Sequence, residues 1–410
     1  MQAKRISKLF SLLPQLSTRT RRSLQALLAA VFAYNVYLER AGRQHMNWAT
    51  CSFHAVVFLV RKAVRLIILR LIAIESDHPY WNGLEELIIG TIGFFARLSN
   101  VDGVRRIVTP IAKLMRIVHH TAGHLTMTQM DLGLGKNEND AVWMTLKKGE
   151  MPTDENMSVI LYFHGGGYCF GTADMYAGAH TQLLTLMRDQ GVKVGILSIE
   201  YPLAPEAKFP EPLEWAIRAY DVVVTKMNIC PSRIIIGGDS AGGGLACRSA
   251  LHAHELSSVR KPMRRLAGLV LISPWVNHSC DSESHKENSH VDYLSGCSQS
   301  HDVSKEVMKS FTEAYCEDVH EALTDPHVSL LHMPSLVGLP PIMVTVGKKE
   351  VFRDDILLFC EKAMNDKVPV KTHVGESMPH IYHLLWPLFK IESDAALQQV
   401  ADFCVQRLTA

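Results

Sequence analysis

Arg233-Ile234-Ile235-Ile236-Gly237-Gly238-Asp239-Ser240-Ala241-Gly242-Gly243-Gly244 opens as a β-branched run, breaks at glycines and passes directly into a stretch of small, helix-compatible residues. An apolar run bounded by glycine reads as a buried strand, and the stretch from Ala241 to His254 reads as a helix. At the junction, Gly238-Asp239-Ser240-Ala241-Gly242 fits G-x-S-x-G in the strand–turn–helix context that the pattern requires. A serine hydroxyl is a poor nucleophile unless a tight turn exposes it to a base. Flanking glycines lack the Cβ atoms that would block such a turn, and a helix N-terminus favours the negative charge that develops there. Taken alone, the same turn also suits close packing or phosphate binding. Dinucleotide binding is disfavoured, because no glycines here fall at G-x-G-x-x-G spacing.

Outward from this turn, the runs Ala141–Leu146, Ser158–His164, Val192–Tyr201, Leu266–Ser273, Pro341–Gly347 and Val368–Val374 read as further strands, mostly without polar alternation. Continuous apolar strands are buried on both faces. Helical patterns lie between them at Ala177–Gln190, Pro212–Met227 and Asp354–Asp366, with a closing helix near Ser393–Leu408. Strands alternating with helices imply an α/β fold with a mostly parallel central sheet flanked by helices. The polar, histidine- and serine-rich segment 279–321 is too long for an ordinary connection, and is expected to be an insertion near the mouth of a site.

A second motif, His164-Gly165-Gly166-Gly167, ends the strand beginning at Ser158. The backbone amides of Gly165 and Gly166 can converge with that of Ala241 on a carbonyl oxygen that gains charge during acyl transfer. By itself this glycine run could equally just terminate the strand. Both motifs in this order resemble the hormone-sensitive-lipase family of α/β-hydrolases, which includes arylacetamide-deacetylase-like and steryl-acetyl-hydrolase-like enzymes. The resemblance runs from about Ala141 to the C-terminus. Tyr201-Pro202-Leu203-Ala204-Pro205-Glu206 is similar to the family's Y-R-L-A-P-E, and Asp325-Pro326-His327-Val328-Ser329 to its D-P-x-x-S-P, with Pro202 and Leu330 as departures. The resemblance implies an α/β-hydrolase fold and a catalytic serine at Ser240. It places the acid at Glu350 in Gly347-Lys348-Lys349-Glu350-Val351-Phe352-Arg353-Asp354-Asp355, where the family pattern is D-x-L-x-D-D/E; Asp354 and Asp355 compete for that role. It places the base at His380 in Met378-Pro379-His380-Ile381-Tyr382, similar to the family's M-x-H-x-F/Y. Chain order Ser, acid, His is the one expected of the fold. His373 and His383 are read as structural.

Residues 1–130 carry no such motif and are apolar punctuated by arginine; the composition shift near residue 130 divides a helical N-terminal region from a catalytic domain at 131–410. The apolar stretch Leu24–Leu38 is short for a bilayer span, and no signal-peptide cleavage site is evident. Val56–Ile74 is long enough but carries Arg61, Lys62, Arg65 and Arg70; the first three share one side of a helix while Val64, Ile67, Ile68 and Leu71 fill another arc. That pattern suits a helix lying in a membrane interface, or a helical cap folded over the catalytic core. Membrane association, with the endoplasmic reticulum as the compartment and the cytoplasm as the alternative, is the expectation. N-x-S sequons at Asn156 and Asn277 matter in a lumenal setting.

The chain has 410 residues and a formal net charge of +1, so no global field recruits nucleic acid. Its 9 cysteines form no CxxC or zinc-like pattern and are read as small buried residues. His119 with His120, and His285 with His290, lack partner ligands at zinc spacings. The expected function is a serine carboxylic-ester hydrolase acting through an acyl-enzyme on a hydrophobic small-molecule or lipid ester, with no metal or organic cofactor. A non-catalytic small-molecule receptor on the same fold, or an acyltransferase, is the alternative.

Overall fold

The computed structural model describes residues 57–58, 81–98, 101–106, 125–135, 139–259, 265–296 and 301–410. An eight-stranded sheet runs through it in the order β1-β2-β4-β3-β5-β6-β7-β8. The strands are β1 (Thr126–Met130), β2 (Ala141–Thr145), β3 (Ser158–Phe163), β4 (Val194–Ile199), β5 (Ile234–Asp239), β6 (Gly268–Ile272), β7 (Ile342–Gly347) and β8 (Val370–Gly375). β1 and β2 are antiparallel to each other, β2 is antiparallel to β4, and every pairing from β4 across to β8 is parallel. The helices are α1 (Gly83–Leu98), α2 (Ala177–Asp189), α3 (Glu211–Thr225), α4 (Ser240–Val259), α5 (Glu283–Asn288), α6 (His301–Tyr315), α7 (Val319–Ala322), α8 (Arg353–Asn365) and α9 (Lys390–Leu408).

The unbroken apolar strands follow from burial on two faces. Ile234 and Ile236 of β5 join a core built with α3, α4 and α8, while the intervening Ile235 joins a second core built with α2 and α9. Alternate residues of β3 divide in the same way: Leu161 and Phe163 face the first core, and Ile160 and Tyr162 the second. All six residues of β5 are buried, so the strand that delivers Ser240 to its turn is held rigidly from both sides.

Two differences from the sequence reading concern the edges. The sheet begins at β1, upstream of the composition boundary at 130, because Thr-Met-Thr-Gln-Met is a polar edge strand that hydropathy does not distinguish from a loop. β8, at the other edge, is a strand as expected at Val368–Val374, but it is half-exposed where strands buried on both faces were expected. The segment 279–321 folds into α5, α6 and α7 and packs over the C-terminal ends of the strands, with the Phe311 ring against Gly167. N-terminal residues pack there too. Trp81 donates from Nε1 to the Ser377 carbonyl at 2.8 Å and its ring lies 5.1 Å from that of Phe389. Arg105 reaches the carbonyls of Cys169 and Ala204 and pairs with Glu206 at 2.6 Å. The described part of the N-terminal third therefore packs against the catalytic core. No helix among the described residues is long and apolar enough to cross a membrane. Most of the arginine-punctuated stretch Val56–Ile74, and all of Leu24–Leu38, lie outside the described residues.

Candidate active site

β5 ends at Asp239 and α4 starts at Ser240, whose φ of 50° lies in the left-handed region that non-glycine residues seldom occupy. The flanking glycines make that turn feasible. A Cβ on Gly242 would stand 2.1 Å from the Phe163 carbonyl oxygen, and one on Gly238 would stand 2.3 Å from the Gly242 oxygen. The turn is tied to the loop after β6 by a 2.8 Å bond from the Trp275 amide to the Ser240 carbonyl. Ser240 is thus set at the head of a helix, with its side chain carried by a constrained backbone.

His380 and Glu350 come together across the loops that follow β8 and β7. His380 Nδ1 and Glu350 Oε2 are 2.8 Å apart, and both residues are buried. Glu350 Oε1 accepts the Gly347 amide at 3.0 Å, and the Ser273 hydroxyl also bonds to this carboxylate. Ser273 Oγ accepts the Ile381 amide at 3.2 Å, which leaves its own hydrogen for Glu350. Burial pushes the Glu350 carboxyl up, and the bonds from Ser273 and Gly347 pull it down. Burial lowers His380 to about 4, opposed by the nearby charges of Asp292 and Asp239. Three donors converging on Glu350 fit an acceptor-only carboxylate, with the proton of the pair on His380 Nδ1. His380 Nε2 is then an unprotonated acceptor, and it has no hydrogen-bond partner.

The competing acids are occupied elsewhere. Asp354 accepts the Ser284 amide at 2.8 Å and the Arg353 guanidinium at 2.7 Å, while Asp355 accepts from Asn277 and Ser282. His383 is buried against Thr345, with Nε2 3.3 Å from the hydroxyl, and His373 is only partly buried on β8, so neither joins the group around Ser240.

The glycine loop after β3 lies against the serine turn, but one of its amides has a different task. Gly165 N–H donates to Asp239 Oδ1 at 2.9 Å, so it is not free to meet a substrate oxygen as the sequence suggested. The physical reason is Asp239 itself: this carboxylate is fully buried and needs donors, which it draws from Gly165, from Tyr162 at 2.8 Å and from Tyr176 at 2.8 Å. Burial still raises it to about 6. The amides of Gly166 and Gly167 make no hydrogen bond to another described group, and Ala241 supplies an amide in the first turn of α4, where helices leave donors free. Sequence reading passed over Asp239 and Ser273, since one was the variable position of a motif and the other the last residue of a strand pattern.

Around the turn stands an aromatic wall. Tyr168 stacks on Tyr315 at 3.7 Å between centroids, Trp275 stacks on His278 at 3.9 Å, and Phe352 meets His380 edge-on at 5.3 Å. Tyr201, from the Tyr201–Glu206 block, donates from its hydroxyl to the His164 carbonyl at 2.6 Å, and its ring stacks on the His164 ring. That block thus holds the start of the glycine loop. Asp325 caps its own turn through the His327 amide, and Ser329 Oγ receives the amide of His278. The departures at Pro202 and Leu330 do not touch Ser240, Glu350 or His380.

A sheet of this order with a glycine-flanked serine turn at the end of its fifth strand defines an α/β-hydrolase fold. Residues 160–384 match a family model described as alpha/beta hydrolase fold. An esterase of Acinetobacter venetianus is 31% identical over 251 residues, 60% of this chain and 74% of that protein. An acetyl-hydrolase of Streptomyces hygroscopicus is 29% identical over 239 residues, 58% of this chain and 72% of that protein. The fold is shared with the crystal structure of an esterase from the bacterial hormone-sensitive lipase family, at a TM-score of 0.60 and 24% identity over 79% of this chain and 98% of that one. The chain belongs to the α/β-hydrolase family.

Proposed function

We propose that this carboxylic-ester hydrolase works through an acyl-enzyme on Ser240. Ser240 Oγ attacks the ester carbonyl as its proton passes to His380 Nε2, and Glu350 stabilises the imidazolium from the opposite ring nitrogen. The oxygen that gains charge is held by the amides of Ala241 and Gly166, with Gly167 next in line, while Gly165 keeps the loop in place through Asp239. His380 then returns the proton to the departing alcohol, and water releases the acyl group by the same route in reverse. The observation that carries this reading is the 2.8 Å contact between His380 Nδ1 and Glu350, with Nε2 left free.

A hydrophobic ester is the substrate class that suits walls built from Tyr168, Trp275, Phe170 and Phe311, since none of these offers a charge to a polar acyl or alcohol group. The relative named acetyl-hydrolase supports short acyl groups as the first to try. The test is hydrolysis of p-nitrophenyl esters of graded acyl length and of acetylated sterols, by wild type and Ser240→Ala. Turnover by wild type that disappears in Ser240→Ala supports the assignment, and equal turnover by both removes it. Contact with a membrane surface through residues upstream of 81 is a further part of the proposal, resting on the arginine-punctuated apolar arc at Val56–Ile74.

A further inference from the structure

A further buried carboxylate stands beside Glu350 and His380, at a position that no motif marks. Asp292 is fully buried in the turn that follows α5, within the segment 279–321. Its Oδ2 accepts the amide of Val351, the residue after Glu350, at 2.7 Å, and its Oδ1 accepts the Leu294 amide at 3.2 Å. The turn grips the same machinery at further points. Asn288 Nδ2 donates to the Glu350 carbonyl at 2.8 Å, and the Tyr293 hydroxyl donates to the His380 carbonyl at 3.0 Å. Asn288 and Asp292 are joined to each other, amide of Asp292 to carbonyl of Asn288, at 2.9 Å. One short turn therefore bonds to the backbone of both the acid and the base, although these come from loops after different strands.

We propose that the turn Asn288–Tyr293 positions Glu350 and His380 for the reaction, and that the buried Asp292 carboxylate is its charged member, favouring the imidazolium that forms at His380. This rests on the acyl-enzyme reading of Ser240, Glu350 and His380. Binding a carboxylate in a fully buried place is costly, so its retention where bare packing would serve needs a compensating partner. The groups that face Asp292 are Glu350 from the loop after β7, His380 from the loop after β8 and Tyr293 from its own turn; Asp239, at the end of β5, is the other carboxylate acting on His380. Among these, only His380 can become positive, and only the transfer of the Ser240 proton makes it so. A negative Asp292 holds the His380 pKa above the value that burial alone would set. Asp292 is itself raised to about 7 by burial, with the charge of His380 and the Val351 and Leu294 amides pulling it down.

The test uses the full-length enzyme, a p-nitrophenyl acetate assay from pH 4 to 9, and the variants Asp292→Asn, Tyr293→Phe and Ser240→Ala side by side. Asp292→Asn is expected to lower kcat by about tenfold or more with KM changed by less than about twofold, because the loss is felt when charge forms on the imidazole. The loss is expected to be full above pH 8, where Asp292 is negative, and to shrink toward pH 5, where the wild-type carboxyl is itself neutral. A purely structural brace would lower kcat by the same factor at every pH, so a pH-independent loss overturns the role given to Asp292. Tyr293→Phe removes one bond to the His380 carbonyl and no charge. It is expected to lower kcat about threefold or more at unchanged KM, by the same factor at every pH. Tyr293→Phe with wild-type kcat overturns the positioning role of the turn, and this arm stands even where Asp292→Asn does not fold. Ser240→Ala separates the two readings: if it keeps wild-type turnover, the nucleophile assignment fails, whereas a dead Ser240→Ala beside a pH-independent loss in Asp292→Asn overturns the Asp292 role alone.

Discussion

At the scale of single residues, burial decides what each side chain can do. His380 is held near pKa 4 by burial, so it is neutral at pH 7 and able to take the Ser240 proton. The base form is lost only as pH falls toward the folded value, and in Asp292→Asn, where that carboxyl no longer titrates, kcat/KM is therefore expected to hold below pH 6, an outcome that a pH–rate profile on a stable ester would check; a midpoint at the ordinary histidine value would contradict it. Ser240→Ala and His380→Ala are each expected to remove nearly all turnover, and Glu350→Gln to cost more than Asp354→Asn, because the amide of glutamine cannot stabilise the imidazolium while Asp354 only meets Ser284 and Arg353. Kinetics on purified, folded variants decide the order. His180 illustrates the same rule away from the chemistry. Both its ring nitrogens lack partners in a small cavity lined by Ile160, Leu183, Val270 and Leu397, and burial lowers it to about 3. A histidine whose folded pKa lies below its unfolded value contributes stability that is present above pH 6.5 and is lost as pH falls through that window. His180→Phe removes this proton uptake, and is expected to lose on the order of 1–2 kcal/mol less stability than wild type between pH 7 and pH 5. Urea denaturation at the two pH values measures the difference, and equal losses would contradict it.

At the scale of elements, the fixed geometry comes from turns braced by buried polar groups. Asp239 ties β5, the loop after β3 and Tyr176 together, so Asp239→Asn is expected to leave the fold intact but lower kcat by about tenfold or more, as the loop carrying Gly166 and Gly167 loses its bond to the serine turn. Circular dichroism beside turnover separates this from unfolding, and wild-type kcat in a folded variant would remove the role. What could be read in advance follows the same division. Strands buried on both faces write themselves as apolar runs, so β2 to β7 and the helices between them were legible, as was the serine turn with its glycines. β1 was not, because a short polar edge strand is defined by its partner: Met130 is a strand residue only by its pairing with Ala141. Glu350 and His380 were found through the order of motifs. The engagement of Gly165 with Asp239 was hidden, since it depends on which oxygen of a buried carboxylate faces which amide, and Asp292 lay in a polar segment with no pattern to mark it.

At the scale of the whole molecule, the N-terminal third is expected to divide in function. Residues 81–98 and 101–106 are packed onto the catalytic core through Trp81, Glu85 and Arg105, so a chain beginning at Thr126 is expected to aggregate even without lipid, whereas one beginning near Pro79 stays soluble. Full-length protein is expected to sediment with liposomes of anionic lipid, and less so at high salt, while the chain from Pro79 does not. Co-sedimentation of that shorter chain, or a soluble chain from Thr126, would contradict the division.

The sequon at Asn277 carries a consequence of timing. Its side chain is sealed inside the fold, its NH2 group donating to Asp355 at 3.0 Å and its oxygen accepting the amide of Ser279 at 3.1 Å. Asp355 arrives 78 residues later in the chain. In a compartment that attaches sugars to emerging chains, Asn277 is accessible only until that partner is synthesised and the pocket closes. A sugar added in this interval leaves no room for the Asp355 contact, so every molecule that reaches the native state is one in which folding outran the transferase at this position. Occupancy at Asn277 would thus mark the failed fraction of a preparation, and an exposed site such as Asn156 gives no such record.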